Sequence, residues 1–411
     1  MKKVSIFGVG RVGLPLALVF AEKGCEVIGI DIDKERLDLI KQGKMPFLEH
    51  GAEELLKKHV NNRFLVTENP EQGVKNSDYL ILTLGTPVDE HMNPVFSQIE
   101  KVIDDILPHL KEDQTIILRS TVSPETTEYL KRYIERKTEF QIGKNLYLAF
   151  CPERIAEGYS VEEIPQIPQI IGALDIESIR KAEELFKIIT PKILKTDSRS
   201  AEIAKLYCNM YRYIDFAIAN EFMMIAQQFD RDIYEITRLV NHDYKRGGLK
   251  QPGLAGGPCL YKDGFFLINK TPYNELISTA WKINETVPAY LIDRIRKNKD
   301  LKDSKVVILG LSFKRNIDDT RNSLSYKAKK IFKGEGADVY LHDPYITPEN
   351  MDKQLNDADI VMIAMNHDYY KKELNLDRIK KLVKDDCVIC DIWNILGEGI
   401  LFKIKKVKEV L

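Results

Sequence analysis

The sequence predicts an α/β protein: two Rossmann-like, doubly wound domains joined by a long central helix or helical domain. Three observations predict it. The chain opens on an apolar strand, a Gly-x-Gly-x-x-Gly turn and a helix. Strands beginning at Lys305 echo that opening. From Ala201 to about Val240 there is no Gly or Pro, and apolar residues recur at helical spacing. The length, 411 residues, suits two or three domains.

Lys3–Phe7 reads as the first strand. Gly8, Gly10 and Gly13 follow, with Arg11 and Val12 between the last two, and Leu14–Lys23 continues in helical composition. Gly8 permits a tight turn, and Gly10 lets the backbone approach a pyrophosphate. Gly13 lets the helix pack on the strand, while the helix N-terminus faces the phosphates. The next strand, Glu26–Ile30, ends at Asp31, 23 residues after Gly8. An acid at that spacing accepts hydrogen bonds from the adenosine ribose and repels a 2′-phosphate, so the expected cofactor is NAD in preference to NADP.

Further strands are expected at Asp78–Leu84, Gln114–Arg119, Asn145–Phe150 and Gln169–Ile171. Ligands of doubly wound sheets bind at the carboxyl ends of strands. That position singles out Thr86, Ser120, Thr121, Glu153, Arg154 and Glu157. Ser120, Thr121 and Ser123, before Pro124, also have helix-capping chemistry, and the two glutamates could be ordinary surface carboxylates.

The Gly- and Pro-free stretch reads as one long helix or two in close succession. Lys205 and Asn209 are four residues apart, with Arg212 three further on, so they share a helical face, either a functional one or a solvated polar stripe. A basic, Gly-rich segment follows, with Tyr244, Arg246, Gly247 and Gly248, which could wrap an anionic ligand or only connect helices. Next comes Gly256-Gly257-Pro258-Cys259-Leu260-Tyr261-Lys262-Asp263. Gly-Gly-Pro favours an exposed turn. A thiol there becomes a nucleophile when a nearby cation such as Lys262 stabilises its thiolate, and Asp263 could hold a water or a hydroxyl. The other reading is an inert loop cysteine. A helical run is expected from Asp263 to about Lys299.

Lys305–Gly310 restarts the N-terminal pattern. Val339–Asp343 echoes Val27–Asp31, and Ala358–Ile363 echoes Ser77–Leu82. The glycine fingerprint is replaced by Gly310-Leu-Ser-Phe313-Lys314, which argues for a nucleotide other than a second NAD. Lys314 and Arg315 suit phosphates, or form only a solvated basic loop. In Asp318-Asp319-Thr320-Arg321, the arginine either reaches a cofactor or pairs with its own acids. The expected domains are therefore 1–197, NAD-binding; 198–298, helical, with the cysteine loop; and 299–411, a second nucleotide-binding domain.

Net charge is −1, with 44% hydrophobic and 30% charged residues, which argues against nucleic acid binding. A strand follows the first two residues, and no run of 18 apolar residues occurs, so neither a signal peptide nor a membrane span is expected. Six sparse cysteines suit a reducing cytoplasm. Cys387 and Cys390 form a CxxC inside an apolar run, which reads as buried strand, and no second pair completes a metal site, so no metal is expected.

Taken together, these residues resemble the UDP-glucose/GDP-mannose dehydrogenase family. The motifs are G-x-G-x-V-G-L-P at 8–15, G-T-P at 85–87, S-T-V at 120–122, P-E-R-I at 152–155, K-x-x-x-N at 205–209, G-G-x-C-L-x-K-D at 256–263 and F-K-x-N-x-D-D-x-R-x-S at 313–323. The resemblance implies oxidation of a sugar C6 alcohol to a carboxylate with two NAD per sugar. Cys259 would form a thiohemiacetal and then a thioester. Lys205 and Asn209 would stabilise oxyanion character at C6. Asp263 and Thr121 would hold a water, and Glu157 would act as base. Lys262 and Arg321 would face the cofactor, with Thr86 and Ser120 on its side of the site. Glu153, Arg154, Arg212, Tyr244, Gly256 and Phe313 would line the substrate site, Lys314 would bind the diphosphate, and Arg246 would reach the sugar of a neighbouring subunit. The central helices would form a homodimer.

Cys151-Pro-Glu-Arg-Ile looks more like the branch acting on UDP-N-acetylhexosamines, UDP-N-acetylmannosamine above all, than like the UDP-glucose branch. UDP-glucose and UDP-N-acetylglucosamine are the alternative substrates. Tyr261 departs from the Pro that the family often has before Lys-Asp, which weakens transfer of fine substrate geometry. Outside the class stand a two-electron β-hydroxyacid-type dehydrogenase, which needs neither Cys259 nor residues 305–392, and a non-catalytic nucleotide-binding regulator, which would have lost the reactive residues.

Overall fold

The computed structural model describes residues 1–91, 93–268 and 271–404. The chain divides into two compact units. One comprises Met1–Cys208 with Phe265–Thr271, and the other comprises Asn209–Gly264 with the residues from Pro272 on.

The first unit is built on eight strands: β1 (Lys3–Phe7), β2 (Glu26–Ile30), β3 (Phe64–Thr67), β4 (Tyr79–Leu82), β5 (Thr115–Leu118), β6 (Tyr147–Phe150), β7 (Gln169–Ala173) and β8 (Ile193–Asp197). Their order across the sheet is β3-β2-β1-β4-β5-β6-β7-β8, parallel except between β6 and β7. The order reverses between β1 and β4, which opens the crevice where doubly wound sheets take nucleotides. Both faces are covered. On β1, Val4 and Ile6 pack in one apolar layer and Phe7 in the other, as the two-residue alternation of a strand requires.

The second unit repeats the winding on five strands: β9 (Lys305–Leu309), β10 (Asp338–His342), β11 (Ile360–Ile363), β12 (Val388–Asp391) and β13 (Leu401–Lys403). Their order is β10-β9-β11-β12-β13, with β13 antiparallel. Val306 and Ile308 face one layer, and Val307 and Leu309 the other. All four are fully buried, each contributing roughly 1.5–3 kcal/mol. The doubly wound class read from the sequence is the one observed. β3, β8 and β13 were not foreseen: β13 has only three residues, and β3 and β8 are largely exposed or half-buried, unlike the fully buried β4, β5 and β6.

The Gly- and Pro-free stretch forms two helices, Ser198–Gln228 and Ile233–Asn241. The break needs neither Gly nor Pro. Asp230 adopts a left-handed φ of 51°, and the Asp232 side chain accepts a hydrogen bond from the Tyr234 amide at 2.9 Å, capping the second helix. The run expected from Asp263 to Lys299 is also two helices, Leu260–Ile268 and Glu275–Arg296. Pro272 lies in that break, and the backbone before a proline disfavours helix. Cys387 and Cys390 are buried at β12, as the apolar run implies. Burial pushes Cys387 up to about 12 and Cys390 higher still, so neither presents a thiolate.

Candidate active site

In the first unit the dinucleotide fingerprint sits at the carboxyl end of β1. Gly8 has φ +96°, and a Cβ there would lie 2.6 Å from the Thr83 carbonyl oxygen. At Gly13, the first residue of the helix Gly13–Glu22, a Cβ would lie 1.9 Å from the Gly8 carbonyl oxygen. A side chain is therefore excluded at both positions. Thr83, which follows β4, closes this turn by donating its hydroxyl to the Gly8 carbonyl at 2.5 Å. Gly10 differs, since a Cβ there would meet nothing within 4 Å. The turn is thus packed from within and open at the position where a pyrophosphate must approach. These residues fit NAD.

Asp31 is nearly buried at the end of β2. One carboxylate oxygen accepts from the Val9 amide at 2.9 Å and the Arg36 guanidinium at 2.8 Å; the other accepts from the Asp33 amide at 3.0 Å. Arg36 was absent from the sequence reading. Its partnership with Asp31 appears only when the first turn of a helix folds back on the strand end.

Ser120 and Thr121, half-buried, follow β5, and Ser120 donates to the Leu84 carbonyl at 2.7 Å. Thr86 lies half-buried in the segment after β4. Past β6, Glu153 is buried and pairs with Arg119, while its other oxygen accepts from the Arg154 and Ile155 amides at 2.7 and 3.0 Å. The Arg154 guanidinium donates to the Pro168 carbonyl. Glu157 stands 2.9 Å from the guanidinium of Arg11, which joins the fingerprint turn to the candidate base. Arg11 also stacks over Phe47 at 4.9 Å.

The loop bearing Glu157 is pinned by a residue that the sequence did not flag. Glu49, buried, accepts from the Gly158 amide at 3.0 Å, the Ser160 hydroxyl at 3.1 Å and the Ser160 amide at 2.5 Å. Burial raises its carboxyl above the usual range, against the pull of these hydrogen bonds.

In the second unit, Cys259 is exposed, immediately before the helix Leu260–Ile268. Its carbonyl accepts from the Lys262 and Asp263 amides at 3.1 and 3.0 Å, so it occupies the capping position of that helix. The positive end of the helix therefore lies beside the thiol. Asp263 has no exposed surface. It accepts from the Asn209 side-chain amide at 2.6 Å and from the Lys262 ammonium at 3.0 Å. Asn209 is buried on the central helix; Lys205, one turn earlier, is half-buried, and Arg212 is exposed.

The cysteine turn is seated on the second nucleotide loop. The Gly257 amide donates to the Asn322 carbonyl at 3.0 Å. A Cβ at Gly257 would meet the Phe313 ring at 2.6 Å, and one at Gly256 would meet the Asn322 carbonyl at 2.6 Å. Lys314 is half-buried beside Phe313. Arg321 pairs with Asp319 through Nε at 2.9 Å and a terminal nitrogen at 2.6 Å, the second of its two sequence readings. Tyr244 and Arg246 are exposed, with the guanidinium 5.3 Å from the tyrosine ring. Among the described residues no cluster of three or more His, Cys, Asp or Glu could hold a metal, and no helix is long and apolar enough to cross a membrane.

Three domain models of the UDP-glucose/GDP-mannose dehydrogenase family match the chain: the NAD-binding domain at residues 2–190, the central domain at 199–286 and the UDP-binding domain at 307–398. The chain belongs to this family. It is an NAD-dependent nucleotide-sugar dehydrogenase. Among similar proteins, the UDP-N-acetyl-D-mannosamine dehydrogenase of Methanocaldococcus jannaschii is 33% identical over 97% of this chain and 94% of its own. The structure of a UDP-D-ManNAc dehydrogenase from Pyrococcus horikoshii superposes with a TM-score of 0.91 at 30% identity, covering 98% of both chains. The UDP-N-acetyl-mannosamine dehydrogenase of Staphylococcus aureus gives a TM-score of 0.88 at 29% identity, over 98% of this chain and 97% of that one.

Replacing Asp263 tests the buried pairing directly. Asp263→Ala should destabilise the protein by about 3 kcal/mol, the low end for breaking a buried ion pair because Lys262 keeps some exposure. Urea unfolding checks this, and a loss below about 1 kcal/mol would mean that the pairing does not hold the two helices.

Proposed function

We propose that the protein oxidises the C6 hydroxyl of UDP-N-acetyl-D-mannosamine to the uronate, a four-electron reaction carried by Cys259. The observation that carries this reading is the placement of Cys259: exposed, at a helix N-terminus, and four residues from a buried Asp263 that also holds Asn209. When bound, NAD accepts a hydride in each oxidation. Glu157, or a water it activates, takes the C6 hydroxyl proton in the first. The Cys259 sulfur then adds to the C6 aldehyde, forming a C–S bond and an oxyanion that gains a proton. Lys205 and Asn209 lie one helical turn apart and supply donors to that oxygen. Return of that oxygen's proton to Glu157 or its water, with loss of the second hydride from C6, leaves a thioester. A water held by Asp263 and Thr121 attacks it, the C–S bond breaks, and the acid departs with the thiolate restored.

The choice of sugar rests on the relatives and on Cys151-Pro-Glu-Arg-Ile; UDP-glucose and UDP-N-acetylglucosamine remain the alternatives. Lys314 binds the diphosphate, and Arg246, exposed beside Tyr244, reaches toward a neighbouring subunit's sugar. Arg321 and Lys262 face the cofactor. Functionally the chain divides at 1–197, 198–298 and 299–411. Six cysteines outside any disulfide favour the cytoplasm.

The central helix also carries Tyr207, Tyr211, Ile218, Phe222 and Ile225, with Phe229 in the turn directly after it, all exposed. Their spacing of three, four and seven makes one apolar stripe, a face suited to a second copy of the chain.

Three measurements bear on these readings. With UDP-N-acetylmannosamine, UDP-N-acetylglucosamine, UDP-glucose and GDP-mannose assayed separately, the first should give the highest kcat/KM by about tenfold or more, the discrimination expected when a site hydrogen-bonds a group its competitors lack or misplace. Cys259→Ala should lose turnover while keeping its NAD affinity, and parent-like acid formation in that variant would refute the thioester route. Light scattering should give twice the chain mass, falling to a monomer in Phe222→Glu; a monomeric parent would rule out the stripe as a dimer face.

A further inference from the structure

The second Rossmann-like domain contains a buried polar cluster that the reaction scheme leaves unused. Asp343 stands at the end of β10 as Asp31 stands at the end of β2. Each accepts from the amide of the residue following the strand–glycine turn: Val9 to Asp31 at 2.9 Å, and Leu311 to Asp343 at 2.7 Å. The two acids then differ. Asp31 keeps a little exposure, whereas Asp343 has none, and His367 lies against it with Nε2 3.1 Å from the same carboxylate oxygen. His367, which follows β11, is itself wholly buried.

The tautomer of His367 follows from its neighbours. Nδ1 accepts from the Asn316 amide at 2.9 Å. An amide nitrogen only donates, so Nδ1 carries no proton, and the ring proton is on Nε2, facing Asp343. The Ser312 hydroxyl lies 3.2 Å from Nε2 and donates to the Lys314 carbonyl at 2.7 Å. The imidazole thus holds the chain on both sides of Lys314: through Ser312 at the Lys314 carbonyl, and directly at the Asn316 amide. Asn316 is held in the left-handed region at φ 60°, and its side chain exchanges hydrogen bonds with Asp368 at 2.6 and 3.0 Å. A non-glycine residue stays there only when its surroundings fix it. The loop lies where the strand order reverses between β9 and β11.

We infer that His367, oriented by Asp343, is a positioning residue that fixes the Ser312–Asn316 loop so that Lys314 meets the diphosphate of the nucleotide sugar. The inference rests on the reading of Lys314 as a diphosphate ligand. It also accounts for the closed acid: one Asp343 oxygen meets the Leu311 and Ser312 amides and His367, the other accepts from the Tyr345 amide at 2.9 Å, and the whole group is buried, so this domain does not use it for a ribose as the first domain uses Asp31.

The test is calorimetric titration of UDP into the full-length protein, with NAD titrated separately as a control for folding. His367→Leu removes both ring hydrogen bonds and should weaken UDP by about tenfold, the effect of one or two net hydrogen bonds. His367→Asn keeps an acceptor near the Asn316 amide and should recover most of that loss. Ser312→Ala, the milder change, should weaken UDP by about threefold. NAD affinity should stay at the parent value in all three. In turnover the change should fall on KM for the sugar nucleotide, with kcat within about twofold. Parent-like UDP affinity in Ser312→Ala and in whichever His367 variants keep NAD binding, while Lys314→Met is weakened, would overturn the inference. Parent-like UDP affinity in Lys314→Met would instead overturn the assignment of Lys314.

Discussion

The carboxylate of Asp263 is fully enclosed, and its two partners decide how the turn that bears Cys259 is held. The Asn209 amide comes from the central helix and the Lys262 ammonium from the helix that begins after Cys259. A buried carboxylate without partners is costly; here each oxygen has one. The Asn209 contact fixes the register between the two helices in the way a packed apolar contact would not, because the amide must meet the carboxylate oxygen within about 3 Å. Cys259 is then presented at the start of its helix with its side chain exposed. The thiol is the most exposed member of a group whose supports are buried.

Support from below recurs in the first domain. Gly13 lies so close to Gly8 that no side chain fits, and Thr83 closes the turn from the adjacent strand. The open side of the turn is left to Gly10. Glu49 fastens the backbone beyond Glu157, while Arg11 reaches that glutamate from the fingerprint itself. The two domains share their winding but not their use of the acid after the second strand. In one it is edged by Arg36 near the surface; in the other it is sealed by His367.

What the sequence disclosed was local. The glycine fingerprint, Asp31, the Cys259 turn and the echo at Lys305 each occupy a few consecutive residues whose chemistry is readable in place. The doubly wound class followed from the same local patterns. What it withheld depended on distant pairings: Glu49 with Gly158 and Ser160, Arg119 with Glu153, and Asp343 with His367. No spacing rule links such residues. The breaks near Asp230 and Pro272 show the other limit. Asp230 ends a helical pattern through a left-handed backbone that any composition count overlooks, whereas Pro272 was visible, among polar neighbours, and was outweighed by the helical composition on either side. Arg321 shows a third case, since both of its readings were chemically sound and only the fold brings Asp319 within 2.6 Å.

The central claim is that one enzyme takes the sugar from alcohol to acid without releasing the aldehyde, using the sulfur of Cys259. The most direct measurement is the amount of NADH formed per limiting UDP-N-acetylmannosamine, followed to completion. The account predicts two NADH for each sugar consumed and a carboxylate product. One NADH per sugar, with an aldehyde or ketone left behind, would contradict it and make the cysteine a bystander in a two-electron oxidation.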